Sequence, residues 1–545
     1  MVLYNINNLV KSEKSNYTKI RRLFILTYAW KKSLFFLLII VVILAGCSSE
    51  SSSSKSDSGP DKEKPVTVKK DKDTLIIGLD DDPPQLDPHK STAAVDRQVF
   101  QSLYNTLIDI NENLEFVPEL AKSWEISDDG KTYTFELQQG AVFHDGTPFN
   151  AKAVVFNFER MLDPDFASPR SSELNLVTDV KATDEYTFEV KLEKPFAPFL
   201  SVLTDRAGMM VSPTAVKKEG KSFANKPVGT GPYKFVDRVQ QDHIKLTRFE
   251  DYWRDKPAIK NVVYKPYPNG NTRVTNLISG KLDIVNIIPY KDIDKLKNAS
   301  NIKMSVTDGI GFQGLMLNTA RAPFNNKKVR QAINVALDRS AIAKVIYHNG
   351  VTPAVSPFPP SSWAHPDDMK VPEANIEKAK KLLKESGQSN ISFTLKITPK
   401  PEEKQLGQML QSMLGQIGVK VKIEMVEFGA MLEQMRNHEY DALRIGWSGR
   451  TDPDGNSYTW FSTEGSLNDM SYSNPEVDKL LSEARTTSER DKRKELYVEV
   501  AHILWEDAPY IFLFHEKDYK PMKKYVEGFK HVPDGMIRTE TMSFK

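Results

Sequence analysis

ISFTLKI (391–397), EEKQLGQMLQSMLGQIG (402–418), VKVKIEMVEF (419–428), GAMLEQMRNHE (429–439) and YDALRIGW (440–447) follow one another with scarcely a gap. The first, third and fifth runs are short and apolar; the second and fourth read as helices. That order is β-α-β-α-β, and strands joined through helical crossovers lie parallel in one sheet. In open parallel sheets ligands bind beyond the carboxyl ends of the strands. At that end stands SGRTDPDGNSY (448–458), where small residues, Arg450, Asp452 and Asp454 crowd together. The crowd therefore lies where a cleft is expected, and it fits a catalytic corner, a metal site or a binding surface.

Outward from this run the patterns change. DTLIIGL (73–79) is a compact buried strand, and DDDPPQLDPH (80–89) is the loop after it. KTYTFELQQGAVF (131–143) and EYTFEVKLEKP (185–195) alternate as half-buried strands; between them DGTPFNAKAVVFNFERML (145–162) starts as a turn and becomes a helix that places Val154, Phe158 and Leu162 on one side. Residues 113–221 thus predict a small α+β lobe. Three more strands are expected in 228–236, 243–249 and 259–267, then a helix stopped by Gly280 and a short strand. An amphipathic helical run covers 326–350, a helix precedes Gly387, 475–509 is helical, and YIFLF (510–514) is one more buried strand.

At 545 residues the chain calls for two or three compact units. Its formal charge of +2 is concentrated at one end: the first 46 residues hold seven Lys/Arg and one Glu, which leaves the remainder at −4. A mildly acidic body does not look like a nucleic-acid binder. KKSLFFLLIIVVILAGC (31–47) has a basic flank, a short apolar core and small residues at its exit, a secretory signal pattern too short to span a bilayer comfortably. Cys47 is the only cysteine, so an exported chain has no internal disulfide. Residues 48–73 are serine-rich, then mixed in charge, and read as a flexible tether.

The other motifs weigh little. GIGFQG (309–314) matches a dinucleotide pattern as text, but a strand and a Pro-interrupted loop follow it where a helix is needed. Its glycines better suit backbone bending between lobes. Ser448 lies in GWSGR, which is not a nucleophile elbow, and the nine histidines never fall three or four apart. Asp454 lacks the continuation of a calcium loop, and Asp454-Gly455 reads as a turn. No metal and no cofactor are expected. Arg450 is either a structural ion pair with Asp452 and Asp454 or a guanidinium aimed into the cleft to grip a carboxylate. Trp447 either stacks on a ligand or belongs to the core. Arg206, among apolar neighbours, needs an acidic partner or a wet cavity.

LAKSWEISDDGKTYTFELQQGAVFHDGTPFNAKAVVFNFERM (120–161), KPVGTGPYKFV (226–236), NKKVRQAINVALDRSAI (326–342) and YSNPEVDKLLSEAR (472–485) are the pieces of a larger pattern. In this order they resemble the family 5 extracellular solute-binding proteins, the peptide/nickel class serving bacterial ABC importers, and the resemblance covers about 74–545. It implies an α/β, two-lobed periplasmic-binding-protein-like fold (type II, cluster C) with an extra α+β subdomain. Lobe I would comprise 74–112, 222–312 and 511–545, the subdomain 113–221 and lobe II 313–510. The hinge would lie at Gly309, Gly311 and Phe312 and again near 509–512. The LAGC ending resembles a lipobox, which implies a signal peptide over 1–46 and a lipid on Cys47 that holds a monomer at the extracytoplasmic face of the membrane.

The resemblance also implies the ligand contacts: Trp447, Ser448, Gly449, Arg450, Asp452 and Asp454 from lobe II, Gln85 and Leu86 from the first loop, and Arg206 from the subdomain. The partners would be a peptide or small-molecule ligand and the permease subunits. One departure stands out. Peptide-binding relatives carry an Asp three residues after the tryptophan to hold the peptide's amino group, and this chain has Arg450 there. An anionic group on the ligand is the expectation that follows. Rival classes are an anchored hydrolase of peptides or glycans, which lacks a catalytic constellation in the sequence, and a surface sensor or adhesin.

Overall fold

Thr74–Leu79 takes its sheet neighbours from distant parts of the chain. Asn261–Pro266 pairs with it in parallel on one side and Ile284–Val285 on the other, while His243–Arg248 and Tyr233–Val239 extend the sheet antiparallel. The structure, a computed structural model, describes residues 73–545. The expected signal segment, the tether and Cys47 lie outside the described residues.

The 391–447 run folds as its pattern predicts. Ser392–Ile397 pairs in parallel with Lys420–Met425 and with Ala442–Trp447, and the helices Pro401–Gly415 and Phe428–Arg436 make the crossovers. Phe312–Leu317 adds an antiparallel strand beyond Ala442–Trp447. Leu395, Ile397, Leu406, Leu410 and Leu414 meet in the core between this sheet and its helices. Full burial of each such side chain contributes about 1.5–3 kcal/mol, which is why the apolar spacing sets the register.

One strand joins the two halves. Tyr510–Lys523 runs for 14 residues. Its first part pairs with Phe312–Leu317 and its second with Ile302–Asp308, so all of these strands belong to one 12-stranded sheet. The chain passes between the halves at 309–311 and at 515–516, where Glu516 O accepts from Gly309 N at 2.8 Å and His515 Nδ1 lies 2.8 Å from Gly311 O. The second passage falls later than the expected 509–512. Ile511, Leu513 and Phe514 are still packed in the core of the 392–447 half.

The subdomain has a four-stranded antiparallel sheet of Ala121–Ile126, Thr132–Leu137, Thr187–Leu192 and Val177–Ala182. Helix Ala151–Leu162 packs on it, begun by Asn150, whose side chain accepts from Ala153 N. Two helical expectations divide. The 326–350 run becomes Lys327–Ala336 and Arg339–Val345 because Asp338 Oδ1 accepts from Ala341 N at 2.8 Å and starts a second helix. Residues 475–509 likewise become Pro475–Thr486 and Arg490–Asp507. The expected turn at Asp454-Gly455 is the start of a helix, Asp454–Phe461, with Asp454 N bonded to Asp452 Oδ1 at 2.9 Å. The whole is a two-lobed α/β fold with an added α+β subdomain.

Candidate functional site

Strand Ala442–Trp447 ends at the passage between the lobes, and the loop after it is pressed against that passage. Gly449 has φ +90°, and a Cβ there would overlap the Ile310 carbonyl, while one on Gly311 would overlap the carbonyl of Trp447. Asn456 fastens the loop from below: its Oδ1 accepts from Arg450 N at 2.8 Å and its Nδ2 donates to Ile310 O at 2.8 Å. Ser448 is left exposed.

The two aspartates of the loop do not pair with Arg450. Asp452 receives both terminal nitrogens of Arg493, at 3.0 and 2.7 Å, and Asp454 lies 3.1 Å from Arg485 Nε. Both carboxylates are buried and belong to the packing of helices 475–486 and 490–507. Arg450 is turned the other way. Its guanidinium lies 4.4 Å from the centre of the Trp447 ring and donates to Gly449 O at 2.8 Å. Trp447 is therefore both core and platform: it packs 5.8 Å from Trp460, its Nε1 has no partner, and Arg450 lies over its ring.

Beyond Trp447 the guanidinium meets charges from two other regions. Burial lowers its pKa, Asp205 and Glu173 oppose that, and Arg97 and Arg170 add to it. Arg97, from helix Ala94–Leu103, donates to Asp205 Oδ1 at 3.0 Å. Arg206 is 3.8 Å from the same oxygen and donates to Ser91 O at 3.3 Å, and its Nε has no hydrogen-bond partner. Burial lowers the Arg206 pKa to about 10. Arg170 pairs with Glu173 and reaches Ser91 O at 3.4 Å, and its Nε is also unpartnered. Asp205 is the counter-ion of the group: burial pushes its carboxyl up, but Arg97, Arg206 and Arg450 together hold it well below the usual range. Even with Asp96 counted behind Ser91, four arginines face three carboxylates. Arg206 and Arg450 stand out in the sequence; Arg97, Arg170, Asp205 and Glu173 do not.

Of the first-loop residues, Gln85 Oε1 accepts from Asp87 N at 3.0 Å and Gln85 N donates to Asp96 Oδ1 at 3.1 Å. Leu86 is wholly buried in the lobe I core. Arg160 fixes this loop by gripping both oxygens of Asp87, at 3.1 and 2.5 Å. Of the expected hinge residues, Gly309 and Gly311 line a cavity, whereas Phe312 is buried against Trp460 and Tyr510.

That cavity, of about 330 Å³, lies against the passage between lobes and is bounded by Ser448, by Ala94, Val95 and Gln98, and by the strand residues Glu516 to Lys520. A second cavity of about 410 Å³ lies between subdomain and lobe II, with Trp124, Tyr133, Phe196, Trp363 and Arg490 in its walls. Lobe II also touches the subdomain directly: Ser201 Oγ is 2.6 Å from Thr451 Oγ1, and Ala197 N donates to Arg485 O at 2.7 Å.

One hydrogen-bonded Ser-His-Asp chain does assemble. Ser305 Oγ is 2.9 Å from His531 Nδ1, and His531 Nε2 is 2.8 Å from Asp518 Oδ2. Ser305 sits mid-strand opposite Lys520 and lines neither cavity, so the chain ties the C-terminal segment to the sheet. Among the described residues no group of three or more His, Cys, Asp or Glu is arranged to hold a metal ion, and no helix is long and apolar enough to cross a membrane.

Known proteins match this chain along most of its length. The profile of the bacterial extracellular solute-binding proteins, family 5 (middle), matches residues 115–468. The glutathione-binding protein GsiB of Pectobacterium atrosepticum is 31% identical over 498 residues, 87% of this chain and 94% of that one. Among solved structures, HbpA2 from Haemophilus parasuis has a TM-score of 0.79 at 29% identity, over 87% of this chain and 100% of its own. DppA from Helicobacter pylori, an ABC transporter-associated periplasmic binding protein in complex with the peptide STSA, has a TM-score of 0.75 at 30% identity, over 86% and 98%. With two lobes joined by a shared strand, a cleft at their junction and these matches, the chain belongs to the bacterial extracellular solute-binding proteins of family 5.

Proposed function

We propose that the protein is a monomeric, lipid-anchored receptor at the extracytoplasmic face of a bacterial cell membrane. It captures a small peptide or peptide-like solute that carries a carboxylate and delivers it to the permease of an ABC importer. The observation that carries the substrate reading is the excess of arginines where the three regions meet, with Arg206 Nε and Arg170 Nε buried and without a hydrogen-bond partner. A buried cation without a full set of partners is costly, and a carboxylate received by a guanidinium fork removes that cost. Glutathione, in the name of the GsiB relatives, has two carboxylates and one ammonium and suits such an end.

Anchorage rests on the LAGC ending and its lone Cys47. Acyl chains there hold a protein at a membrane by about 0.8 kcal/mol per buried methylene. Rotation of the lobes about 309–311 and 515–516 closes the cleft over the ligand, and the closed shape is what a permease recognises. The relatives matched bear the names of binding proteins, which supports capture without turnover.

The test is to purify the full chain in detergent, denature it and identify what is released by mass spectrometry. A carboxylate-bearing peptide is the expected result. A non-peptide acid or a metal chelate would keep the arginine anchor and move the substrate, and a ligand with no anionic group rejects the reading.

A further inference from the structure

The cavity at the passage between lobes has the opposite character to the arginine end. Its walls carry four carboxylates, Asp80, Glu516, Asp518 and Asp534, against two lysines, Lys517 and Lys520. Two of the four are already neutralised. Asp518 bonds Lys520 and His531, and Asp534 takes both terminal nitrogens of Arg538, each at 2.9 Å. Asp80 and Glu516 hydrogen-bond neutral groups: Asp80 Oδ1 accepts from Asn286 Nδ2 at 2.7 Å, and Glu516 Oε1 accepts from the Tyr290 hydroxyl at 3.4 Å, while Arg273 and Arg444 act on them only from a distance, without an ion pair. Asn286 is 2% exposed and lines the cavity, yet its Oδ1 has no hydrogen-bond partner. A buried acceptor left unmade costs about 1–3 kcal/mol. Its presence beside two carboxylates describes a place for a donor with positive charge.

Both ends adjoin the same helix. Ala94, Val95 and Gln98 border the cavity, and Arg97 of the same turn belongs to the arginine end. Ser448 borders the cavity, and Arg450 two positions on faces the arginines. We infer that the cleft is bipolar: it seats a compact zwitterion with a carboxylate at Arg450, Arg97 and Arg206 and an ammonium at Asp80, Glu516 and Asn286 Oδ1. This rests on the proposed function for its carboxylate end and adds the ammonium end. Position 450, where the resemblance places an ammonium grip, has passed to the anion, and the ammonium site has moved to the wall between the lobes. Lys517 is the one unpaired cation on that wall; its flexible stem lets the head stay in solvent.

The experiment uses the full chain in detergent and two probes, glutathione and N-acetylglutathione, which differ in one ammonium. Calorimetric titration is expected to show glutathione binding about tenfold tighter or more, the scale of a charge-assisted contact. The double variant Asp80→Asn with Glu516→Gln is expected to abolish that preference while N-acetylglutathione binds as before, which also shows that the variant is folded. Equal affinity for the two probes in the unaltered chain, or an equal loss of both in the double variant, overturns the ammonium site and leaves the carboxylate reading standing. If Arg450→Gln changes neither affinity while the double variant still abolishes the preference, the carboxylate reading fails and the ammonium site survives. If neither probe binds the unaltered chain, both ends are rejected.

Discussion

Arg493 approaches Asp452 with both terminal nitrogens, and each side chain is only 7% exposed. Removing one partner of a buried pair strands the other charge, at a cost of about 3–5 kcal/mol. Asp452→Asn is therefore expected to lower the unfolding free energy by about 3 kcal/mol in urea titration while the cleft arginines stay in place. Arg450→Gln should do the reverse: unfolding changes by under about 1 kcal/mol, and ligand affinity falls about tenfold or more. Gly449→Ala combines a left-handed φ with overlap on Ile310 O, and is expected to lower both the melting temperature and affinity. In the sequence Arg450, Asp452 and Asp454 look like one cluster. The arginine that claims Asp452 stands 41 positions on and arrives by helix packing, which local spacing does not announce. Arg97, Arg170 and Asp205 were illegible for the same reason: each is an ordinary surface residue until three regions converge.

Among elements, the parallel run 392–447 was readable because strand length, helical spacing and burial on one face all agree. Tyr510–Lys523 was readable only over its first five residues. Its later part carries Glu516, Lys517, Asp518 and Lys520, which look solvent-facing but are placed at the passage between lobes and met by Tyr290, His531 and Asn286. The same strand contributes a pH dependence. His515 is buried against Gly311 O, and His89 is buried beside Asp87 and Arg160; burial is the main cause that lowers each imidazole from 6.5 to about 4. The unfolded chain takes up those protons first, so their stabilisation is complete above pH 6.5 and is lost as pH falls towards 4. Urea midpoints are expected to fall across that window, and His515→Gln should make the fall shallower.

At the scale of the molecule, the order of segments implies two lobes and a subdomain, and the arginine-rich charge cluster lies where all three adjoin. Ser201 meets Thr451 and Ala197 meets Arg485, contacts that the proposed hinge motion would make on closure and break on reopening. Ligand is expected to reduce the radius of gyration in small-angle scattering, and an unchanged scattering curve with ligand bound would falsify hinge closure. The shared strand has a separate bearing on how the molecule melts. Residues 510–514 complete one half of the sheet and 517–523 the other. Neither half can lose that strand without exposing the edge of its neighbour. A calorimeter should therefore record a single endotherm whose van't Hoff and calorimetric enthalpies agree, where two lobes tied by a slack linker would give two.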